Sequence, residues 1–238
     1  MTEPRQSSTP GRVPDCPLNL PGLDASYRIA GMNLDFSERS GLLTVALRDH
    51  FSEREAKNKA KKTLSRVWLN PPPAAQQMIS WALDNPQEFP DHRLLHTGAV
   101  MATYPFVGGI LAVIGRHVAL GETVAIPDLR RRVEGQWGAT STVREGVGKA
   151  VTTLRRLDIV QGGGRIPVTG SAPLTCGPVA ATWLIHAVML TRRVQSIDVN
   201  DATDAPELFW VENLAASSDY PLLEIHAEGP KRRVWVSV

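Results

Sequence analysis

Cationic side chains recur between residues 127 and 165 at spacings suited to holding phosphate. Arg130, Arg131, Arg132, Arg144, Lys149, Arg155, Arg156 and Arg165 stand there against four acids, Asp128, Glu134, Glu145 and Asp158. Guanidinium and ammonium groups bond phosphate oxygens, which positions a nucleic acid without reading its sequence. Arg130 to Arg132, Arg155, Arg156 and Arg165 suit that task. Thr142, Arg144, Glu145, Lys149 and Thr152 are of types that can reach base edges. Other chemistry finds little footing. Gly148-Lys149 looks like part of a phosphate loop, but Val143 stands where the loop needs glycine, and Ala150 where Ser or Thr would hold magnesium. His92 and His96 sit four apart, a spacing that one helix face could offer to a metal. No glutamate follows His92 in the metalloprotease manner and no further ligand stands out, so a structural or loop role is the better reading. No nucleophile elbow or paired-carboxylate motif is present. The residues therefore point to binding rather than turnover, with no cofactor and no metal. An enzyme with scattered catalytic residues stays a minority alternative.

The elements that must position these residues follow from local pattern. Thr123 to Ile126 is β-prone, and Pro127 suits the first position of a helix. That helix turns Leu129 and Val133 inward and the arginine triplet largely outward, and Gly135, Trp137 and Gly138 break it. Thr142 and Glu145 make the capping-box pattern that opens a second helix. Val143, Val147, Ala150, Val151, Leu154 and Leu157 form its apolar stripe. Glu145, Gly148, Lys149, Thr152 and Arg156 lie opposite, flanked by Arg144 and Arg155. Ile159 to Gln161, Gly162 to Gly164 and Arg165 to Val168 then read as strand, turn and strand. Gly146 and Gly148 are unusual inside a helix, each costing roughly 1 kcal/mol of propensity relative to Ala. Close approach to a nucleic-acid backbone or neighbouring helix would explain them, and so would tight packing within the protein. Helix, turn, helix and hairpin over residues 122–168 resembles the winged helix-turn-helix superfamily, which places its second helix in a DNA major groove.

The rest of the chain is mostly helical. With 238 residues, 42% hydrophobic and 21% charged, it has the composition of a globular protein with a real core. The net charge of +2 is nearly neutral, but its distribution is uneven. Arg48 to Arg66 carries seven Lys or Arg against three acids, whereas Gln195 to Gly229 carries eight acids and neither Lys nor Arg. Cys16 and Cys176 suggest neither a disulfide scaffold nor a metal ribbon, which fits a cytoplasmic setting. Gly98 to Gly115 is uncharged for eighteen residues. It is read as one buried helix opening the winged fold rather than a membrane span.

Four segments result: a proline-rich disordered tail over 1–25, a helical N-terminal region over 26–96, the winged domain over 97–170, and an α+β part over 171–238 packing on it. Asp35 is expected to cap a helix through Leu47, and Ser52 with Glu55 to cap a basic helix reaching Trp68. Ala74 to Leu83 and a run from Pro178 through Leu190 read as further helices. Gly170 to Gly177 reads as loop, Asp198 to Glu212 as a short acidic helical element, and Leu222 to Val236 as a hairpin whose loop exceeds two residues. The fold class is thus mainly α, with a helical N-terminal region, a central winged helix-turn-helix and a small α+β C-terminal part. Phe36 to Gly41, Ser52 to Ala56, Trp137 to Val143 and the Leu-Arg-Arg-Leu helix end together resemble BrxA, a helical accessory protein of the BREX phage-defence systems. That resemblance implies a non-enzymatic DNA-binding component beside a methyltransferase, helicase and ATPase, and it transfers no residue roles. The expected partner is double-stranded DNA, in regulation of transcription or in phage defence, with the acidic C-terminal part turned to other proteins. The alternative is a winged protein-protein adapter.

Overall fold

The computed structural model describes residues 12–48, 53–229 and 231–237. The protein is mainly helical, with ten α-helices among the described residues and three small sheets confined to the C-terminal half. The N-terminal half contains α1 (Leu20–Ala30), α2 (Phe36–Ala46), α3 (Arg54–Leu64) and α4 (Pro73–Asp84). Asp35 caps α2 in a complete capping box with Glu38. α3 runs on through a π-helical turn, Ser65–Leu69, to the prolines that end it. Glu53 is its N-cap, without a side-chain bond, and the expected cap Ser52 lies outside the described residues.

At the centre stand α5 (His92–Thr103) and α6 (Pro105–Ala119), which are buried along nearly their whole length. They replace the single helix expected over Gly98 to Gly115, and their axes bend by 115°. The cause is Pro105, which has no N–H to bond back into α5 and keeps Tyr104 out of helical geometry, at φ −129° and ψ 79°. The Nε of Arg66 bonds the freed Thr103 carbonyl at 3.3 Å, and its guanidinium lies 5.5 Å from the Tyr104 ring centre. No single helix among the described residues is long and apolar enough to cross a membrane.

Glycines let neighbours close on this pair. Gly98 lies under the Trp183 ring and Gly115 against the Pro206 carbonyl, where added Cβ atoms would collide. Trp183 belongs to α9 (Pro178–Arg192) and bonds the Met78 carbonyl of α4 at 3.0 Å, so α4, α5 and α9 interlock around it. Buried residues from every one of these helices join one hydrophobic cluster.

Between α6 and α9 come α7 (Ile126–Trp137), α8 (Ser141–Arg156) and a hairpin of β1 (Val160–Gly163) and β2 (Ile166–Gly170). β3 (Leu174–Thr175) then pairs in parallel with β5 (Val211–Glu212), a contact too short and too distant to show in the residues expected to be a loop. α10 (Val199–Thr203) covers only part of the expected acidic element, which continues as a 3-10 turn and β5. β6 (Leu223–Glu228) and β7 (Lys231–Val236) form the expected hairpin, and β4 (Ser196–Asp198) adds a third strand. Glu228 pairs with Lys231, so two residues link the strands where a longer loop was expected; Pro230 lies outside the described residues. Glu207 is buried and grips Arg192 through a two-point fork of 2.8 and 2.7 Å, while most other acids of this part are exposed.

Two stability predictions follow from the core. Gly98→Ala forces the Trp183 ring aside, and overpacking of this kind costs about 1–3 kcal/mol, read as a lower midpoint in urea unfolding. His186 of α9, bonded to the Tyr220 hydroxyl at 3.0 Å, has its pKa pushed by burial from 6.5 down to about 4. The unfolded chain therefore binds the extra proton first, and stability held above pH 6.5 declines towards pH 4. Thermal melts over that range should show the decline, and His186→Asn should flatten it.

Candidate nucleic-acid interface

The candidate interface draws on α7, α8 and the β1–β2 hairpin. Pro127 stands in the first turn of α7, Leu129 and Val133 are buried, and Gly138 ends the helix at φ 89°. Gly135, expected among the breakers, stays within it. Thr140 caps α8, its hydroxyl accepting from the Val143 N–H at 3.2 Å. Thr142, expected as the cap, is instead an exposed first-turn residue, because the helix starts one residue before it. All six residues of the expected apolar stripe are buried. β1 and β2 pair across a bulge, and Val124 joins β2 through a bridge to Val168. The turn is Gly164-Arg165, so Arg165 leaves the strand expected to begin with it, while Gly162 and Gly163, expected in the turn, end β1 at the bulge. All three glycines have positive φ, a conformation that suits glycine alone at this density.

These elements enclose a groove of about 540 Å³. Arg130, Glu145, Gly148, Lys149, Thr152 and Arg155 line it, with Pro17, Pro127 and the three hairpin glycines. Three cations thus face one acid. Lys149 and Glu145 are 3.4 Å apart, while Arg130 and Arg155 have no ion pair among the described residues. The structure thereby brings together Arg130, Glu145, Lys149, Thr152 and Arg155 of the expected site. Arg131, Arg132, Thr142, Arg144, Arg156 and Arg165 are exposed but do not line the groove. Arg131 is held by Asp128, and Arg144 by Glu134 at 2.6 Å. Arg155 rather than Arg156 faces the groove, one position from the expected face.

The two helical glycines have different causes. Gly146 is packed beneath Val13 and Phe106, whereas Gly148 has open space before it. Gly146 thus exposes a feature that sequence reasoning missed. Residues 12–18, expected to be part of a disordered tail, lie as a strap between α3 and α8. The Leu18 N–H donates to Thr153 Oγ1 at 2.9 Å, Cys16 Sγ approaches Thr63 Oγ1 at 3.7 Å, and Lys62 pairs with Asp15 at 3.1 Å. The strap then enters α1, capped by Asn19. Pro17 borders the first groove, and Arg12 borders a second, smaller one of about 360 Å³ on α3, with Lys61, Lys62 and Arg66. The composition of Arg48 to Arg66 was the signal for that second basic surface. His92 and His96 do share a face of α5, and Asp24 of α1 bonds both, a partner too far along the chain for local spacing to reveal.

No family model matches the chain, and no curated protein or solved structure is significantly similar to it.

Thr153→Val removes the acceptor of a buried N–H, a loss of about 1–3 kcal/mol. Faster trypsin cleavage after Arg12 in this variant is the expected sign that the strap has loosened. Unchanged cleavage would show that the bond does not hold it.

Proposed function

We propose that the protein binds double-stranded DNA through a winged helix-turn-helix built from α6, Val124, α7, α8 and the β1–β2 hairpin. The observation that carries this reading is the groove in which Arg130, Lys149 and Arg155 converge beside the positive-φ glycine turn. In this reading α8 is the helix that enters the major groove. Arg130 and Arg155 hold phosphates, and Lys149, Thr152 and Glu145 face base edges. Thr142 and Arg144 stand at the exposed N-terminal end of α8, the end such helices direct to bases. Arg131, Arg132, Arg156 and Arg165 supply outlying phosphate contacts. The bridge between Val124 and Val168 supports the wing, because it ties the segment before α7 to the hairpin. The basic groove on α3 extends the positive surface across the strap. The role is non-enzymatic and cytoplasmic, in transcriptional regulation or as a BREX-like phage-defence component.

A protein-protein adapter is the second reading, favoured by the apolar surface around α2. Phe36 is 49% and Val45 55% exposed, with Met32, Leu34 and Leu42 also open to solvent.

Fluorescence anisotropy with labelled duplex and single strands over a salt series separates these readings. Duplex affinity should fall linearly in log-log form, with a slope of about −0.9 per phosphate contact. Arg130→Ala and Arg155→Ala should each flatten that slope, Lys149→Ala should relax sequence preference, and all three should weaken binding more than Arg156→Ala does. Undiminished duplex binding by the triple variant would overturn the docking mode, and absence of binding at low salt would favour the adapter.

A further inference from the structure

Three side chains of ligand type meet where α1 crosses α5. His92 occupies the first position of α5 and His96 follows one turn later, so Nδ1 of the first and Nε2 of the second face the same point. Asp24 of α1 fills that point. Its Oδ1 lies 2.7 Å from His92 Nδ1 and 2.9 Å from His96 Nε2. The three ligand atoms all lie within 4.8 Å of one another. We propose that Asp24, His92 and His96 form a binding site for a divalent transition-metal ion of the zinc class, which fastens α1 to α5.

Two imidazoles and one carboxylate suit zinc and its neighbours and leave a position for water. Magnesium and calcium prefer oxygen ligands throughout and are disfavoured here. The His92 side chain is 51% exposed and that of Asp24 27%, against 0% for His96, so an ion can enter from solvent and keep a water ligand. The buried ring is already oriented, with Trp68 and Tyr27 edge-on to it at 5.6 and 6.1 Å.

Binding requires modest movement. Metal bonds of about 2.0–2.1 Å in tetrahedral geometry set ligand atoms about 3.3 Å apart. Asp24 Oδ1 must therefore draw back from each ring nitrogen by about half an ångström, and the two ring nitrogens, within 4.8 Å of each other, must settle to the same spacing, which the two solvent-facing side chains allow. Each neutral imidazole also moves its proton from the nitrogen facing Asp24 to the other ring nitrogen. For His92 that nitrogen belongs to a half-exposed ring. His96 Nδ1 is buried without a hydrogen-bond partner among the described residues. A metal-bound histidine ordinarily donates from this nitrogen to an acceptor that strengthens the site. Lacking it, the site is expected to hold zinc about 10–100-fold more weakly than one with such a partner.

The test is calorimetric titration of the metal-stripped full chain with ZnCl2, with MgCl2 as control and cobalt(II) absorption as a report of coordination. One zinc per chain, no magnesium heat, and a visible cobalt d–d band are expected. Asp24→Asn and His92→Ala should each weaken zinc binding by more than about 100-fold, since changes to outer ligand partners alone cost 10–100-fold. Circular dichroism of the metal-free variants checks the fold, and His92→Ala, at the exposed position, decides the matter if Asp24→Asn does not fold. No zinc heat up to millimolar concentration would overturn the proposal. So would zinc binding of equal strength in the parent and a folded variant, which would place the ion elsewhere.

Discussion

Everything in this fold depends on covering α5 and α6, two apolar helices with almost no solvent face. Their junction at Tyr104 turns the chain by 115°, so no single layer can cover both. α4 and α9 close over one arm around Trp183, and α7, α8 and the hairpin pack towards the other. Glycines at the contact points let backbone and aromatic rings approach without spacers. Apolar burial contributes about 25 cal/mol per Å² removed from water, and a helix buried all round multiplies that gain per residue. The bend has its own support, because an unpaired buried carbonyl would be costly and Arg66 reaches it.

The strap connects this core to the basic surface. Residues 12–18 have contacts on α3 and α8 and border a groove on each side. Both grooves are thus framed by residues from distant parts of the chain. Gly148 lines the groove on α8, with open space where a side chain would stand. Gly146, two residues along, serves the opposite purpose and lets the strap lie close.

What was legible in the sequence was local. The apolar stripe of α8, the Asp35 cap and the glycine run of the hairpin each declare themselves within a few residues. The cationic set was legible as composition, yet only part of it shares the groove. Arg155 and Arg156 are adjacent, and about a quarter turn of the helix decides which one faces inward. Other features depend on residues far apart. Asp24 meets His92 and His96 across separations of 68 and 72 residues, and Leu18 meets Thr153 across 135. No spacing rule spans such distances. Pro105 was visible, but the freed carbonyl and its arginine partner became apparent only once α3 was packed beside the bend.

The separation between Leu18 and Thr153 also bears on the order of assembly. Closing so long a loop is entropically expensive until the intervening helices have formed. The strap is therefore expected to be the last part to settle, after α3 and α8 stand side by side. By the same token it is the first to peel away, opening locally while the rest stays folded. Amide hydrogens along residues 13–18 would then exchange with solvent far sooner than those of α5 and α6, and the groove wall formed by Pro17 would be the most transient part of the basic surface.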